Sequence, residues 1–181
     1  AFSHVAFFGV GAYTTAILQA RYGIPFPVGL VIAIALSSFI AMLVALASVK
    51  LRHIYLGLAT VAFAAAAHWS FQNWKSLTGG VDGMRLQPSD FVLFQSVTDA
   101  SNFRVLVVIF AVVLLATFLL MRSQLGRAMS AIRDSEHVAT VSGISVERTK
   151  MWVFVISSGY ASIGGSMLVV FNSFISPDSF T

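Results

Sequence analysis

The residues that could carry covalent chemistry in this chain are few and badly spaced for it. Gly159-Tyr160-Ala161-Ser162-Ile163-Gly164 approaches the G-x-S-x-G elbow of a serine hydrolase but misses its spacing by one residue, and it lies in an apolar stretch with no Asp or His nearby. It reads as a packing motif. No cysteine occurs, which removes disulfides, thiolate nucleophiles and Cys-based metal sites. No H-E-x-x-H helix is present to hold a metal, and no G-x-x-x-x-G-K-[ST] loop to cradle a nucleotide phosphate. The expectation is a chain that is not an enzyme, holds no cofactor or metal, and draws any energy from a partner or from a solute gradient. His68 is the one titratable residue well inside an apolar stretch, followed by Ser70, Gln72 and Asn73. A lone imidazole there is more often a hydrogen-bond donor between helices than a proton relay, and no catalytic role is assigned to it.

The elements that must position these residues follow from composition. Of 181 residues 57% are apolar and 10% charged, with a mean hydropathy of +0.87, against about 25% charged residues in soluble domains. Water is not the main solvent. The net charge of +4 carries no aromatic-interleaved basic stripe, so nucleic acid is not the expected partner. Instead the basic residues cluster beside apolar segments. The chain opens at Ala1 without a methionine and stops at Thr181 just past an apolar segment, as a piece of a longer protein is expected to do.

Crossing a hydrocarbon core of roughly 30 Å takes about 20 apolar residues in a helix. Segments B (28–48), C (55–74), D (105–121) and E (151–171) qualify, each free of Asp, Glu, Lys and Arg. Segment A (5–20) is shorter and carries Gly9 and Gly11 beside Tyr13, Thr14 and Thr15, the pattern of a broken or partly re-entrant helix. The expected fold is an all-α, polytopic transmembrane bundle with about five spans, all within one domain. The charge-free spans argue against proton coupling or voltage sensing within the chain.

Lys50 and Arg52 fall in the B to C turn, and Arg122, Arg127, Arg133, Arg148 and Lys150 in the D to E loop (122–150). The positive-inside rule puts both loops in the cytoplasm, with the C to D loop (75–104) outside. Small residues four apart mark close helix approach: Gly29, Ala33, Ser37, Ala41 and Ala45 on B, Ala12, Ala16 and Ala20 on A, and Ser157, Ala161 and Gly165 beside Ser158, Ser162 and Ser166 on E. Dense packing is the first reading of these stripes; a face lining a solute passage is the second. In the D to E loop, Leu125, Ala128, Met129 and Ile132 follow helical periodicity, with Arg127 and Arg133 off the stripe. Asp134 or Ser135 is placed to cap a second short helix through Glu136, Val138, Ala139 and Val141, ended by Gly143. By spacing alone that helical pair suits either a partner's groove or the lipid interface.

Several stretches together resemble the LivM-type permease of branched-chain amino-acid ABC importers. They are Ser3 to Thr14, Leu51 to Leu56 with Ala59 to Phe63, Leu77 to Gly83, Gly126-Arg127-Ala128-Met129-Ser130-Ala131-Ile132-Arg133-Asp134-Ser135-Glu136 continuing to Gly143-Ile144-Ser145-Val146, and Phe174 to Phe180. Each is weak alone; their order is what resembles the family. The resemblance implies a multi-pass inner-membrane subunit working with a second permease, two cytoplasmic ATPases and a periplasmic or extracellular solute-binding protein. It also implies that Arg127, Ile132, Arg133, Asp134, Glu136, Ala139 and Gly143 belong to the segment that docks on the ATPase. Val138, Thr140, Val141 and Ala65 depart from the family's pattern. The rival expectations are a permease of the same superfamily for urea, short amides or another small solute, and an ATPase-independent carrier or channel.

Overall fold

The computed structural model describes residues 3–48, 53–85, 99–171 and 174–177. Of five long helices among the described residues four come first: α1 (Ser3–Tyr22), α2 (Phe26–Ser48), α3 (His53–Asn73) and, beyond a short α4 (Lys75–Thr78), a 3-10 turn (Gly80–Asp82) and strand β1 (Met84–Arg85), α5 (Asp99–Arg122). Then come α6 (Gln124–Asp134), α7 (Glu136–Val141), the 26-residue α8 (Val146–Phe171) and strand β2 (Phe174–Ile175). The turn at Lys50 and Arg52, the loop residues 86–98 and the motif end at 178–180 lie outside the described residues.

The core forms where α1 is enclosed. It packs against α8 above all, and against α2 and α3, while α2 also lies along α8. The segment A expectation is corrected here: Ser3–Tyr22 is one unbroken helix of 20 residues. Gly9 and Gly11 do not break it because protein, not lipid, surrounds them. A β-carbon at Gly9 would come within 2.7 Å of the Phe71 ring, and one at Gly11 within 2.6 Å of the Ser162 Cα. Phe7 fills the centre, tilted against Phe63 of α3 at 5.1 Å and edge-on to Phe154 of α8 at 5.7 Å. These offset and edge geometries are the ones aromatic quadrupoles favour.

On α2, Gly29, Ala33, Ser37, Ala41 and Ala45 are all buried on one face, while Val31, Phe39, Leu43 and Leu46 are exposed on the others. That division suits a helix with one protein side and a wide lipid side. On α5 nearly the whole circumference is exposed apart from the stripe Leu106, Ile109, Val113, Thr117 and Leu120.

By length and composition, Phe26–Ala47 and Val146–Val170 can each cross a membrane, and Leu106–Arg122 with Gln124–Asp134 qualifies as a third across a 67° bend. Two or three such helices among the described residues are fewer than the five spans expected. The difference lies in α1 and α3. Their Thr15, Gln19, His68 and Gln72 lower the apolar content, and in α1 those polar residues turn inward, with Thr15 and Gln19 buried.

Candidate functional site

Two regions concentrate the motifs, and local chemistry explains how each is held. The first is the loop between α5 and α8. Ser123 ends α5 and caps α6: its hydroxyl accepts from the Gly126 amide at 3.4 Å, satisfying a free N–H of the first turn. Gly126 is buried against the carbonyls of Leu120 and Met121, which leaves no room for a β-carbon and holds the bend. Ser135 then caps α7, accepting from the Val138 amide at 3.4 Å; of the two residues expected to cap it, Ser135 is the one that does. At the other end Gly143 adopts φ +81°, its amide donates to Thr140 and the Ile144 amide to Ala139, both at 3.0 Å. That pair of bonds is a Schellman closure, and Gly143 meets no atom within 4 Å of a β-carbon position, so its need for glycine is conformational alone.

The α6–α7 pair is also tied to α8. Lys150 Nζ donates to Glu136 Oε1 at 2.5 Å, with both side chains about 40% exposed. Ala139 is buried, whereas Val138 and Val141, three apart on α7, are 65% and 84% exposed. Two β-branched apolar side chains thus stand in the open on a six-residue helix fixed at both ends.

The second region is the seam of α1 and α8. Gly165 lies against the Phe8 carbonyl and within 3.0 Å, from its β-carbon position, of the Ala12 amide nitrogen. Thr15 Oγ1 donates to Ser166 Oγ at 2.8 Å, and Ser166 Oγ donates to the Gly11 carbonyl at 3.3 Å. Elsewhere on α1, α2 and α8, the hydroxyls of Ser3, Ser37 and Ser162 and both carboxamide atoms of Gln19 are buried without a hydrogen-bond partner among the described residues. At the end of the bundle remote from the α6–α7 pair, β1 pairs antiparallel with β2, Met84 opposite Ile175 and Arg85 opposite Phe174. Gly83, at φ +69°, presses on the Ile175 carbonyl, and Ile175 is fully buried beside Ala12, Tyr13, Ala16 and Val169. The Leu77 to Gly83 motif and the residues after α8 therefore close on each other.

A family model described as the branched-chain amino acid transport system / permease component matches residues 1–181, both regions included. The chain belongs to this permease family. The high-affinity branched-chain amino acid transport system permease protein LivM of Escherichia coli (strain K12) is 30% identical over 199 aligned positions, covering 97% of this chain and 47% of that protein. The protein of the same description from Salmonella typhimurium (strain LT2) is 29% identical with the same coverage. The chain spans about half the length of the curated relatives it matches. No solved structure matches it.

Within this chain, the residues singled out from sequence fall into separate places. Arg127, Ile132, Arg133 and Asp134 lie on α6, Glu136 and Ala139 on α7, and Gly143 at the α7 terminus. Gly9 and Gly11 face α3 and α8 respectively, Gly165 faces α1, and Ala161 is half-buried against the cluster of Phe7, Ala41 and Val155. His68 departs from the expected contact between helices: its Nε2 lies 3.0 Å from Gln72 Nε2, one turn along the same α3. A side chain four residues away satisfies the imidazole more readily than a helix that must be brought to it. Among the described residues no three His, Asp or Glu side chains gather as metal ligands would. Sequence reasoning missed the Glu136–Lys150 pair, the Thr15–Ser166 link and the buried Gln19. Only the first left a local signal, opposite charges flanking one short loop.

Proposed function

We propose that this chain is part of the membrane-spanning permease subunit of an ATP-driven importer for branched-chain, apolar amino acids in a bacterial-type inner membrane. In this reading α1, α2, α3, α5 and α8 are five spans, the segment 75–104 is extracytoplasmic, and the segment 122–150 is cytoplasmic, as the basic residues at 122, 127, 133, 148 and 150 favour. The missing half of the relatives' length, a second permease subunit, two ATPases and a solute-binding protein complete the machine. Gly9, Gly11, Ala161 and Gly165 act in helix packing beside the passage, and His68, paired with Gln72, steadies α3.

The observation that carries the reading is α7. A short helix with two caps, a fixed tie to α8, and Val138 and Val141 held outward is shaped to enter a groove of a soluble partner. Isolated apolar residues on a surface are ordinary, but rigid ones on a preorganised terminus lose little entropy on docking. Ile132, Arg133, Asp134, Glu136, Ala139 and Gly143 form that docking segment, with Arg127 at its entry. The test is uptake into vesicles containing the full-length permease and its partner, with leucine and urea as alternative solutes. ATP-dependent leucine uptake that requires both ATPases supports the proposal; uptake of either solute without ATPases overturns it in favour of a channel or secondary carrier.

A further inference from the structure

We propose that the elbow between α5 and α6 is a binding site for the headgroup phosphate of an anionic phospholipid, held by Arg122 and Arg127. The helix leading into the elbow is ringed by exposed apolar side chains: Phe110, Leu114, Leu115, Phe118 and Leu119 are each 51–61% exposed. A helix so dressed has lipid, not water, as its surroundings. At its last turn the Arg122 guanidinium sits 4.2 Å above the centre of the Phe118 ring. The cation is thereby drawn back along the apolar face instead of out into water, the position a snorkelling arginine takes at the boundary of acyl chains and headgroups.

Arg127, in the first turn of α6, reaches back to the end of α5: its Nη1 donates to the Arg122 carbonyl at 3.0 Å. That bond uses one of five guanidinium N–H donors and leaves the rest of the fork free. Among the described residues no carboxylate pairs with either group, whereas Arg133 has Asp134 at 3.9 Å and Lys150 has Glu136. The bend itself is locked, since Gly126 is buried against the carbonyls of Leu120 and Met121 and Ser123 caps the next helix. The 67° turn sends α6 across the direction of α5, as a helix lying along a membrane surface must run. Two guanidinium groups on one corner at the foot of a lipid-facing helix are opposite in sign to a phosphodiester, and each offers it a fork of N–H donors. A divided loop follows: the elbow end of α6 meets lipid, and the end of α6 from Ile132 onward, with α7, is left to meet a protein.

The inference rests on α5 lying in the bilayer and not on the ATPase contact, so it stands or falls separately from docking. The full-length permease, delipidated in detergent, is titrated with phosphatidylglycerol and, separately, with phosphatidylcholine, and bound lipid is counted by native mass spectrometry. Wild type is expected to prefer phosphatidylglycerol, and to lose that preference at high salt. Each surface arginine contributes roughly a five-fold factor toward an anionic lipid, so Arg122→Gln with Arg127→Gln should weaken phosphatidylglycerol binding about twenty-five-fold and leave phosphatidylcholine unchanged. Arg133→Gln, which removes charge away from the elbow, should leave both unchanged. Equal loss with Arg133→Gln, or no loss with the double variant, overturns the site. Displacement of the lipid by inorganic phosphate at matched ionic strength overturns it in favour of a free-phosphate site. Should the glutamine variant fail to assemble, the paired lysine substitutions keep the charge but not the fork. They must then show a partial loss, and unaltered binding overturns the assignment.

Discussion

Thr15 on α1 and Ser166 on α8 share a 2.8 Å hydrogen bond between hydroxyls although 151 positions separate them in the chain. Because the Ser166 hydroxyl in turn donates a hydrogen bond to the Gly11 carbonyl, the link joins three groups in a row across the seam. Interhelical hydrogen bonds in membrane proteins average about 0.6 kcal/mol by double-mutant cycles. Thr15→Val and Ser166→Ala should therefore each lower thermal stability in detergent modestly, and together by less than their sum. Strict additivity in a melting series would show that the two hydroxyls contribute independently.

The tightest packing prediction concerns Gly165. A methyl group there has no space, because the Phe8 carbonyl and Ala12 amide already occupy it, while Gly57 on α3 has nothing within 4 Å. Gly165→Ala should cost about 1–3 kcal/mol through overpacking and reduce assembled protein, and Gly57→Ala should be neutral or slightly stabilising. Folded yield by size-exclusion chromatography distinguishes them. Similar yields for the two variants would mean that α1 and α8 do not approach so closely.

For the docking segment, Gly143 at φ +81° and the Glu136–Lys150 pair give separable tests. Gly143→Val should unwind the end of α7 at a cost of about 1 kcal/mol or more and reduce copurification of the ATPases while membrane insertion stays normal. Glu136→Lys should do likewise by placing two cations together, and adding Lys150→Glu should restore the pair and much of the yield. Copurification at the wild-type level in both single variants would remove α7 from the coupling role.

Orientation can be read with single cysteines in this cysteine-free chain. Val81 and Val141 are 64% and 84% exposed, so a thiol at either is open to reagent on its own side. In intact cells Val81→Cys should react with an impermeant maleimide and Val141→Cys only after lysis. The opposite labelling would invert the proposed topology.

Much of this fold was legible because lipid simplifies the code. The α2 stripe from Gly29 to Ala45 and the α8 stripe containing Ser158, Ser162 and Ser166 are buried as their four-residue spacing implied, and the cap at Ser135 and the turn at Gly143 follow from local chemistry. What was not legible is pairing at long range. Nothing in the sequence near Gly11 says that Ser162 will press on it, so a helix suited to close approach read as a broken one. Val169 illustrates the same limit: as one more apolar residue of α8 it looks suited to face lipid, yet it is fully buried against α1 because β2 folds back beside it. His68 found its partner within its own helix, which spacing allowed but did not single out.

The clasp of Gly11 on Ser162 lies near the middle of α8, with the Glu136–Lys150 tie toward one end and the β1–β2 strap just past the other. Such a rod has a fulcrum. The arm from Lys150 to Ser162 is roughly 18 Å long and the arm from Ser162 to Phe171 roughly 13 Å, at 1.5 Å per residue. A tilt of about ten degrees about the clasp would carry the Lys150 end roughly 3 Å one way and the strap end roughly 2 Å the other. On such a pivot a push on α7 and a displacement of the Gly83 strap would be opposite strokes of one lever.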